Sequence, residues 1–342
     1  MRMSNRSWNR WKIFFWLSIG FMVVSAFYGL RVGEEPLRGM ATGITSSLFI
    51  ATPILLYEIR GRRLRLVRRL QRLPIVLYFA IRVVFYTIVI VVGLVAARLV
   101  VTGDTDFAVI LSDGFTFAMA MSVLANAIFT IGSLIGFRMV VRLLTGRYVR
   151  PRRELRAFLL IDMKNSTGLA ERLGAVRFHE LLYDFFRDIA EAALECGAEI
   201  HKYVGDEAIL TWPANRATLD DDVLTCPFVL HDFIAANSAQ YLRRFGVVPE
   251  FRATMHCGEI VAGQIGDVRA ELAYVGDTLN VAARLLEAAK EVGRDVLVSA
   301  DVLAKTTLPA GIVAEALPTL TVRGRAAPLG IAALSRAAQV PL

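Results

Sequence analysis

The sequence predicts two domains, an N-terminal set of four transmembrane helices and a C-terminal cytoplasmic domain in which strands alternate with helices. The mean hydropathy of +0.51 exceeds that of ordinary soluble globular proteins and indicates membrane spans. Residues 1–156 hold 22 Lys and Arg against 7 Asp and Glu, whereas residues 157–342 hold 17 against 24. Because the basic excess belongs to the apolar half, it is typical of juxtamembrane segments and does not indicate a nucleic-acid surface.

Four apolar stretches are the candidate spans, at residues 13–30, 40–57, 75–97 and 107–137. A helix needs roughly 20 apolar residues to cross the hydrocarbon core, which the last two exceed and the first two approach. The first stretch could instead be a signal peptide, but no clear cleavage site follows it and three further spans do. Arg82 and Arg98 lie near the ends of the third span, where long side chains reach the headgroups, and Asp113 is expected at the interface of the fourth.

The connecting segments predict the orientation of these spans. Basic residues concentrate before the first span, in the loop 58–74 with its seven arginines, and after the fourth span. The other two loops, 31–39 and 101–106, are balanced or acidic. Positively charged loops stay on the cytoplasmic side of a membrane. Both termini and the second domain are therefore expected on the cytoplasmic side of the inner (plasma) membrane.

The second domain is expected to follow a boundary near residue 150, where Pro151 comes after Gly146. We expect a transmembrane domain over 1–140, a cytoplasmic linker over 141–155 and a catalytic domain over 156–342. The predicted strands are 157–162, two within 199–213, 251–256, 259–264, 296–299 and 320–322. The predicted helices are 166–196, 220–245 and 278–289, chosen by apolar residues at helical spacing.

The cysteines and the glycines exclude several common sites. The three cysteines lie in the second domain and form no C-x-x-C pair, so neither a disulfide framework nor a zinc site is supported. The sequence also lacks the two glycine-rich phosphate loops G-x-x-x-x-G-K-[ST] and G-x-G-x-x-G.

Several polar residues are candidates for chemistry. Asp162 ends a predicted strand before a helix, a position suited to a divalent cation holding a polyphosphate, and Asp206 lies in a predicted turn. Taken singly, Asp162 could cap the helix and Asp206 could shape a hairpin. Lys202 could be an ordinary surface charge. Asn280 and Arg284 share one helix face, partly buried, so the Arg is expected to meet an anion.

The order and spacing of these residues carry a resemblance to a known family. The segments that carry it are Leu-Ile-Asp162-Met-Lys-Asn-Ser-Thr167, Lys202-x-x-Gly-Asp206-Glu, His256-Cys-Gly-Glu-Ile-Val-Ala-Gly263 and Gly276-Asp-Thr-Leu-Asn280-x-Ala-x-Arg284. Together they resemble a class III adenylate/guanylate cyclase domain over about residues 155–335. Each segment is weak alone, whereas their shared order is specific.

The resemblance implies an α+β fold with a ferredoxin-like core, a central sheet of mostly antiparallel strands and flanking helices. It also implies a homodimer with two sites at the interface, each drawing residues from both chains. One chain would bind two Mg²⁺ or Mn²⁺ ions through Asp162, Asp206 and the Met163 carbonyl. The backbone at Asn165, Ser166 and Thr167 would hold the β- and γ-phosphates.

The resemblance assigns the remaining roles to the partner chain. Lys202 would read the purine, Asn280 would orient the ribose, and Arg284 would neutralise charge on the α-phosphate. Arg323 stands where the family often has a phosphate-binding Lys, and Ala273 where a second base-reading Asp or Thr is usual. Lys164-Asn165 stands where the family commonly has a Gly before the Ser or Thr. Because Asn tolerates the left-handed backbone region, the loop is expected to keep its conformation.

The expected activity is the conversion of ATP to 3′,5′-cyclic AMP and pyrophosphate. The expected enzyme is a homodimer that contacts membrane lipid through its transmembrane helices and binds no nucleic acid. A guanylate cyclase is the first alternative, differing in its base-reading residues. A catalytically inactive cyclase-like receptor would have lost a metal Asp, Asn280 or Arg284, and none is lost. A small transporter with a regulatory domain would carry paired charges deep in its spans, and the spans show little of that kind.

Overall fold

The structure is a computed structural model of the chain. It describes residues 5–32, 35–60, 67, 70, 73–101, 103, 113–135, 146, 148–214, 219, 222–267, 271–321 and 328–337. The chain divides into two compact units, essentially residues 7–145 and 146–342.

Nearly all described residues of the first unit are helical. Its helices are α1 (Asn5–Val32), α2 (Pro36–Arg60), α3 (Ile75–Val101) and α4 (Asp113–Ile135). Three of them contain windows long and apolar enough to cross a membrane, namely Phe14–Arg31, Pro36–Tyr57 and Val76–Val101. In α4 the described residues contribute a shorter apolar stretch, Phe115–Ala127. Because the predicted fourth span 107–137 extends past the described residues at both ends, the count of four spans stays a prediction.

The outer surfaces of these helices are apolar. Trp16 is 74% exposed and Val76 is 77% exposed, and Phe15, Leu37 and Val92 are also exposed. Exposure of many large apolar side chains is unfavourable in water and suits contact with lipid tails. The exposure pattern therefore agrees with membrane association.

Small residues allow α1 and α2 to touch along their backbones. A Cβ added to Gly29 would overlap the backbone of Gly39, and one added to Gly43 would overlap the Ser25 carbonyl. Ser25 and Gly29 on α1, and Gly39 and Gly43 on α2, are each four residues apart, the spacing that aligns small residues on one face. The pair therefore packs more closely than larger side chains would permit.

Arg82 corrects one expectation about the third span. Its side chain does not reach a surface: the residue is 1% exposed and lies between α3 and α4. The guanidinium donates to Thr130 Oγ1 at 3.1 Å and to the Tyr86 hydroxyl at 2.9 Å. Burial of an Arg in an apolar helix unit is costly without such partners, so this contact ties the two helices together.

The second unit combines one sheet with six helices in its described residues. Its strands are β1 (Arg152–Met163), β2 (Glu199–Val204), β3 (Glu207–Pro213), β4 (Phe251–Ile265), β5 (Glu271–Val275), β6 (Val296–Ser299), β7 (Ile312–Leu320) and β8 (Leu329–Arg336). Its helices are α5 (Ser166–Leu173), α6 (Ala175–Glu195), α7 (Asp222–Ala236), α8 (Ser238–Phe245), α9 (Asp277–Val292) and α10 (Ala300–Leu303).

The sheet has the strand order β2-β3-β1-β4-β6-β8-β7, with β5 paired to β4. All described pairings are antiparallel except β4–β6, which confirms the expected mostly antiparallel sheet. The central strand β1 is buried on both faces. Leu159 and Ile161 pack with α6 and α7 on one face, whereas Phe158 and Leu160 pack with β5 and α9 on the other.

Two predicted helices are broken in the structure. The helix expected over 166–196 is interrupted at Gly174, whose φ of 75° and ψ of 158° end α5 and precede α6. A conformation with positive φ favours glycine. The helix expected over 220–245 is broken at Asn237, whose amide donates to the buried Asp188 at 3.1 Å.

The strand predictions were partly wrong. The strands expected at 251–256 and 259–264 form the single strand β4, and the sequence analysis missed β5 and β8. The last predicted strand, 320–322, overlaps the end of β7, and Val322 lies outside the described residues. The strand 296–299 and the paired strands within 199–213 are confirmed.

Candidate active site

Two aspartates meet at one end of the sheet. Asp162 lies at the end of β1, directly opposite Glu207 on β3, and is buried. Asp206 occupies the two-residue turn between β2 and β3, where Gly205 takes a φ of 62° that favours glycine. The antiparallel register therefore carries the turn carboxylate to the end of β1.

Three acidic side chains lie near one another at this corner and repel one another when ionised. Burial raises the pKa of Asp162; the Lys290 ammonium opposes the rise and the neighbouring Asp206 carboxylate adds to it. Burial also raises the pKa of Glu207 to about 7, with further contributions from Asp162 and Asp206. Three close carboxyl groups in a desolvated corner favour a bound cation.

Lys290 supplies a cation to this corner. Its Nζ lies 3.0 Å from Asp162 Oδ2, while its own side chain remains about half exposed. The residue sits near the end of α9, which packs over the same face of the sheet as Phe158 and Leu160. A lysine ammonium therefore neutralises Asp162, and its flexible stem leaves it free to move away.

The chemistry of the donors fits a hard divalent cation. Asp162 and Asp206 offer carboxylate oxygens, the ligands that Mg²⁺ and Mn²⁺ prefer, and the Asp162 carboxylate already has a cationic partner in Lys290. Within the described residues there is no group of three or more His, Cys, Asp or Glu arranged to hold a metal. Glu207 is therefore not counted as a ligand, and the two aspartates are the protein carboxylates of the candidate site. Substrate oxygens and water would have to complete the coordination.

The loop after β1 has the predicted conformation. Asn165 lies in the left-handed region with φ 54° and ψ 35°, which confirms the expectation that Asn would support this turn. The Lys164 N–H donates a hydrogen bond to the Glu250 carbonyl at 2.8 Å, which fixes the loop to the chain before β4. In the part of the chain that the structure describes, no side chain caps the N-terminus of α5, at Ser166 and Thr167. Its first N–H groups suit an anion.

Lys202 lies on β2 and pairs with Glu271 of β5, its Nζ 3.2 Å from Glu271 Oε2. Ala273 lies two residues farther along β5, opposite Gly263 of β4. The predicted base-reading positions are thus brought to one neighbourhood of a single chain by the pairing of β4 with β5.

Asn280 and Arg284 lie on α9, with Asn280 exposed and Arg284 half-buried. The start of the helix is fixed to β4, since Thr278 Oγ1 donates to the Glu259 carbonyl at 2.7 Å. A Cβ added to Gly258 would lie 2.6 Å from that same hydroxyl oxygen, so only glycine permits this approach. At 1.5 Å rise per residue, Asn280 stands about 15 Å along α9 from Lys290.

The sequence analysis missed three charged residues near the candidate site, and His256 of the cyclase-like motif makes a contact within the sheet. Lys290, Glu207 and Glu271 were not predicted as site residues. Glu207 follows Asp206 and Glu271 lies two residues before Ala273, which was a signal for each; Lys290 has no such neighbour. His256 is buried, and its Nδ1 lies 2.9 Å from Ser299 Oγ, a contact that joins β4 to β6. Arg323 lies outside the described residues.

Comparisons with known proteins match the same part of the chain. The family model of the adenylate and guanylate cyclase catalytic domain matches residues 151–330, which is more than half of the chain. The chain belongs to the adenylate and guanylate cyclase family. Its cyclase domain therefore includes both aspartates, the loop at Asn165 and the whole of α9.

The chain also resembles a curated protein over most of its length. Adenylate cyclase 2 of Rhizobium meliloti is 36% identical over 308 residues, which cover 87% of this chain and 84% of that protein. Adenylate cyclase of Anabaena cylindrica is 26% identical over 44% of this chain and 30% of its own length. The Rhizobium similarity extends beyond the cyclase domain into the apolar half.

A solved structure shares the fold. A bacterial light-regulated adenylyl cyclase superimposes with a TM-score of 0.52 at 14% identity, covering 64% of this chain and 63% of that chain. The adenylyl cyclase CyaB of P. aeruginosa superimposes with a TM-score of 0.48 at 20% identity, covering 56% of this chain and 98% of that chain.

Proposed function

We propose that the protein is a membrane-anchored adenylate cyclase that converts ATP to 3′,5′-cyclic AMP and pyrophosphate at the interface of a homodimer. The observation that carries the proposal is the convergence of Asp162 and Asp206 at one corner of a cyclase-family sheet. The relative from Rhizobium meliloti, named an adenylate cyclase, supports the choice of reaction.

Each site residue then has a physical task. When bound at Asp162 and Asp206, two Mg²⁺ or Mn²⁺ ions would neutralise the triphosphate and make the ribose 3′-hydroxyl more acidic. The Met163 carbonyl would help the two aspartates to hold the metal ions. The N–H groups at 165–167 would orient the triphosphate, with Arg323 assisting. Arg284 neutralises charge on the α-phosphate, and Asn280 orients the ribose. Catalysis by the chain is thus mainly positioning and electrostatics.

The geometry of α9 supports a site shared between two chains. Lys290 contacts Asp162 of its own chain, so Asn280 lies about 15 Å away along the helix from that contact. Both Asn280 and the aspartates are assigned to groups around one α-phosphate, a region only a few ångströms wide. This separation supports an Asn280 supplied by a second copy at the site of Asp162.

Lys202 supports adenine as the base. A lysine has only donors, so it can meet the N1 acceptor of adenine but would face the N1–H donor of guanine. A guanylate cyclase is the second candidate, and a catalytically inactive receptor the third, although Asp162, Asp206, Asn280 and Arg284 are all present.

The deciding experiment uses purified membranes that contain the full chain. Incubation with ATP or GTP and Mn²⁺, followed by measurement of cyclic products, should give mainly cyclic AMP. In Lys202→Glu we expect the ratio of kcat/KM for ATP to that for GTP to fall at least about tenfold, because one base contact is lost and a repulsive one gained. Cyclic GMP as the main product of the unmodified protein would contradict the proposal.

The apolar half is proposed to place the cyclase domain on the cytoplasmic side, where ATP is available. Four spans with basic residues inside would bring both termini to that side. A reporter fused after Leu342 should be cytoplasmic, and one inserted near Glu35 should be external. The opposite result at both positions would contradict the orientation.

Lys290 is expected to compete with the metal for Asp162. In Lys290→Met we expect tighter binding of Mn²⁺ in the absence of nucleotide, by severalfold, because the ammonium no longer neutralises the carboxylate. Mn²⁺ titration followed by electron paramagnetic resonance measures this directly. Lys305→Met removes the same charge elsewhere and should leave Mn²⁺ binding unchanged; weaker binding in Lys290→Met would show that Lys290 assists the metal instead.

A further inference from the structure

The ion pair between Lys202 and Glu271 is open to solvent on its outer side. The two side chains are 53% and 44% exposed, and their charged atoms lie 3.2 Å apart. Neither group is enclosed by the core, so an ammonium donor and a carboxylate acceptor stand side by side at the surface.

Buried aromatic contacts hold this pair in place. Tyr274, on the opposite face of β5 from Glu271, packs its ring against Phe158 of β1 at 5.6 Å and against His201 of β2 at 4.5 Å. The Arg156 guanidinium lies 4.9 Å from the same ring. These contacts fix β5 against β1 and β2, so the backbone positions that carry Lys202 and Glu271 are held by the core.

Glu271 also lies near Ala273, whose side chain cannot hydrogen-bond to the base. Side chains two residues apart on a strand share one face, so Glu271 and Ala273 project the same way about 7 Å apart. Ala273 occupies the position assigned to the second base reader, where its methyl group can neither donate nor accept a hydrogen bond. The nearest acceptor on that face of β5 is the Glu271 carboxylate.

We infer that Glu271 is a specificity-determining residue that accepts a hydrogen bond from the 6-amino group of adenine, beside Lys202, which donates to N1. The inference rests on the proposed function. In the same pose guanine would place its N1–H against the ammonium and its O6 against the carboxylate, two mismatches in place of two bonds. Glu271 therefore replaces the acceptor that Ala273 lacks.

The test compares kcat/KM for ATP and GTP in the full chain in membranes. Glu271→Ala should lower the ATP-to-GTP ratio about tenfold, mainly by raising KM for ATP, since a lost buried hydrogen bond costs roughly a factor of 5 to 100. Asp267→Ala removes the same charge from the same hairpin and should leave the ratio unchanged. Adding Ala273→Thr to Glu271→Ala should restore the ratio by supplying an acceptor on the same face.

Two outcomes would overturn the inference. A Glu271→Ala ratio equal to that of the unmodified protein would show that the carboxylate does not read the base. Equal losses for ATP and GTP, without recovery by Ala273→Thr, would show that Glu271 only holds Lys202. Equilibrium binding of ATP and GTP in Ca²⁺ gives the same comparison without turnover, so it decides the inference even where the proposed cyclase activity itself fails.

Discussion

The Asp162→Ala variant is expected to form cyclic AMP at least about a thousandfold more slowly than the unmodified protein, and Asp206→Ala should behave alike. The two carboxylates are the protein ligands proposed for the metals, and stabilisation worth several kcal/mol is lost with either. Cyclic AMP production by equal amounts of protein in membranes, with Mn²⁺ and ATP, measures the effect.

The fold should survive the change at Asp162. Burial raises the pKa of this carboxyl group, which means that the folded state disfavours its charge and loses little stability when it is removed. Asp232→Ala is the matched control, because Asp232 is exposed and pairs with Arg336 at 2.6 Å on another part of the domain. Activity in Asp162→Ala within tenfold of that control would remove Asp162 from the proposed metal site.

Co-expression of Asp162→Ala with Asn280→Ala is expected to restore activity that neither variant has alone. In a symmetric dimer each site takes its aspartates from one chain and its Asn280 from the other. A mixed dimer therefore contains one intact site and one doubly altered site. With equal expression about half of the dimers are mixed, so activity should reach about a quarter of the unmodified level.

The control for this experiment uses two variants on the same half of the site. Asp162→Ala and Asp206→Ala together leave both sites of a mixed dimer without one aspartate, so this pair should remain inactive. Co-purification through two different tags shows that the chains mix. Recovery in neither pair, despite mixing, would mean that one chain builds a whole site.

The sequence predicted the positions of the site residues better than their surroundings. Asp162, the Gly205-Asp206 turn and the left-handed Asn165 follow from local patterns, because a strand end, a hairpin and a tolerant residue are each encoded within a few positions. The contact of Lys290 with Asp162 joins residues that are far apart in the chain, and no periodicity reveals such a pairing. The ion pair of Lys202 with Glu271 was missed for the same reason.

The missed elements of the fold have similar causes. Apolar spacing continues through Gly174 and Asn237, so a pattern of 3.6 residues extends across breaks that depend on one backbone conformation. Arg82 was assigned to the headgroups because its distance from the span end permitted it. Its actual partners, Tyr86 and Thr130, are determined by how α3 and α4 pack.

Helix α9 would couple ligand binding at the two sites of the proposed dimer. Lys290 near one end of the helix touches Asp162 of its own chain, and Asn280 near the other end is assigned to the partner's substrate. A metal ion that displaces Lys290 would remove the contact between this end of α9 and β1. Because a helix moves as a unit, the position of Asn280 at the other site would change with it. Filling of the first site should therefore alter affinity at the second, and ATP saturation curves should depart from a simple hyperbola.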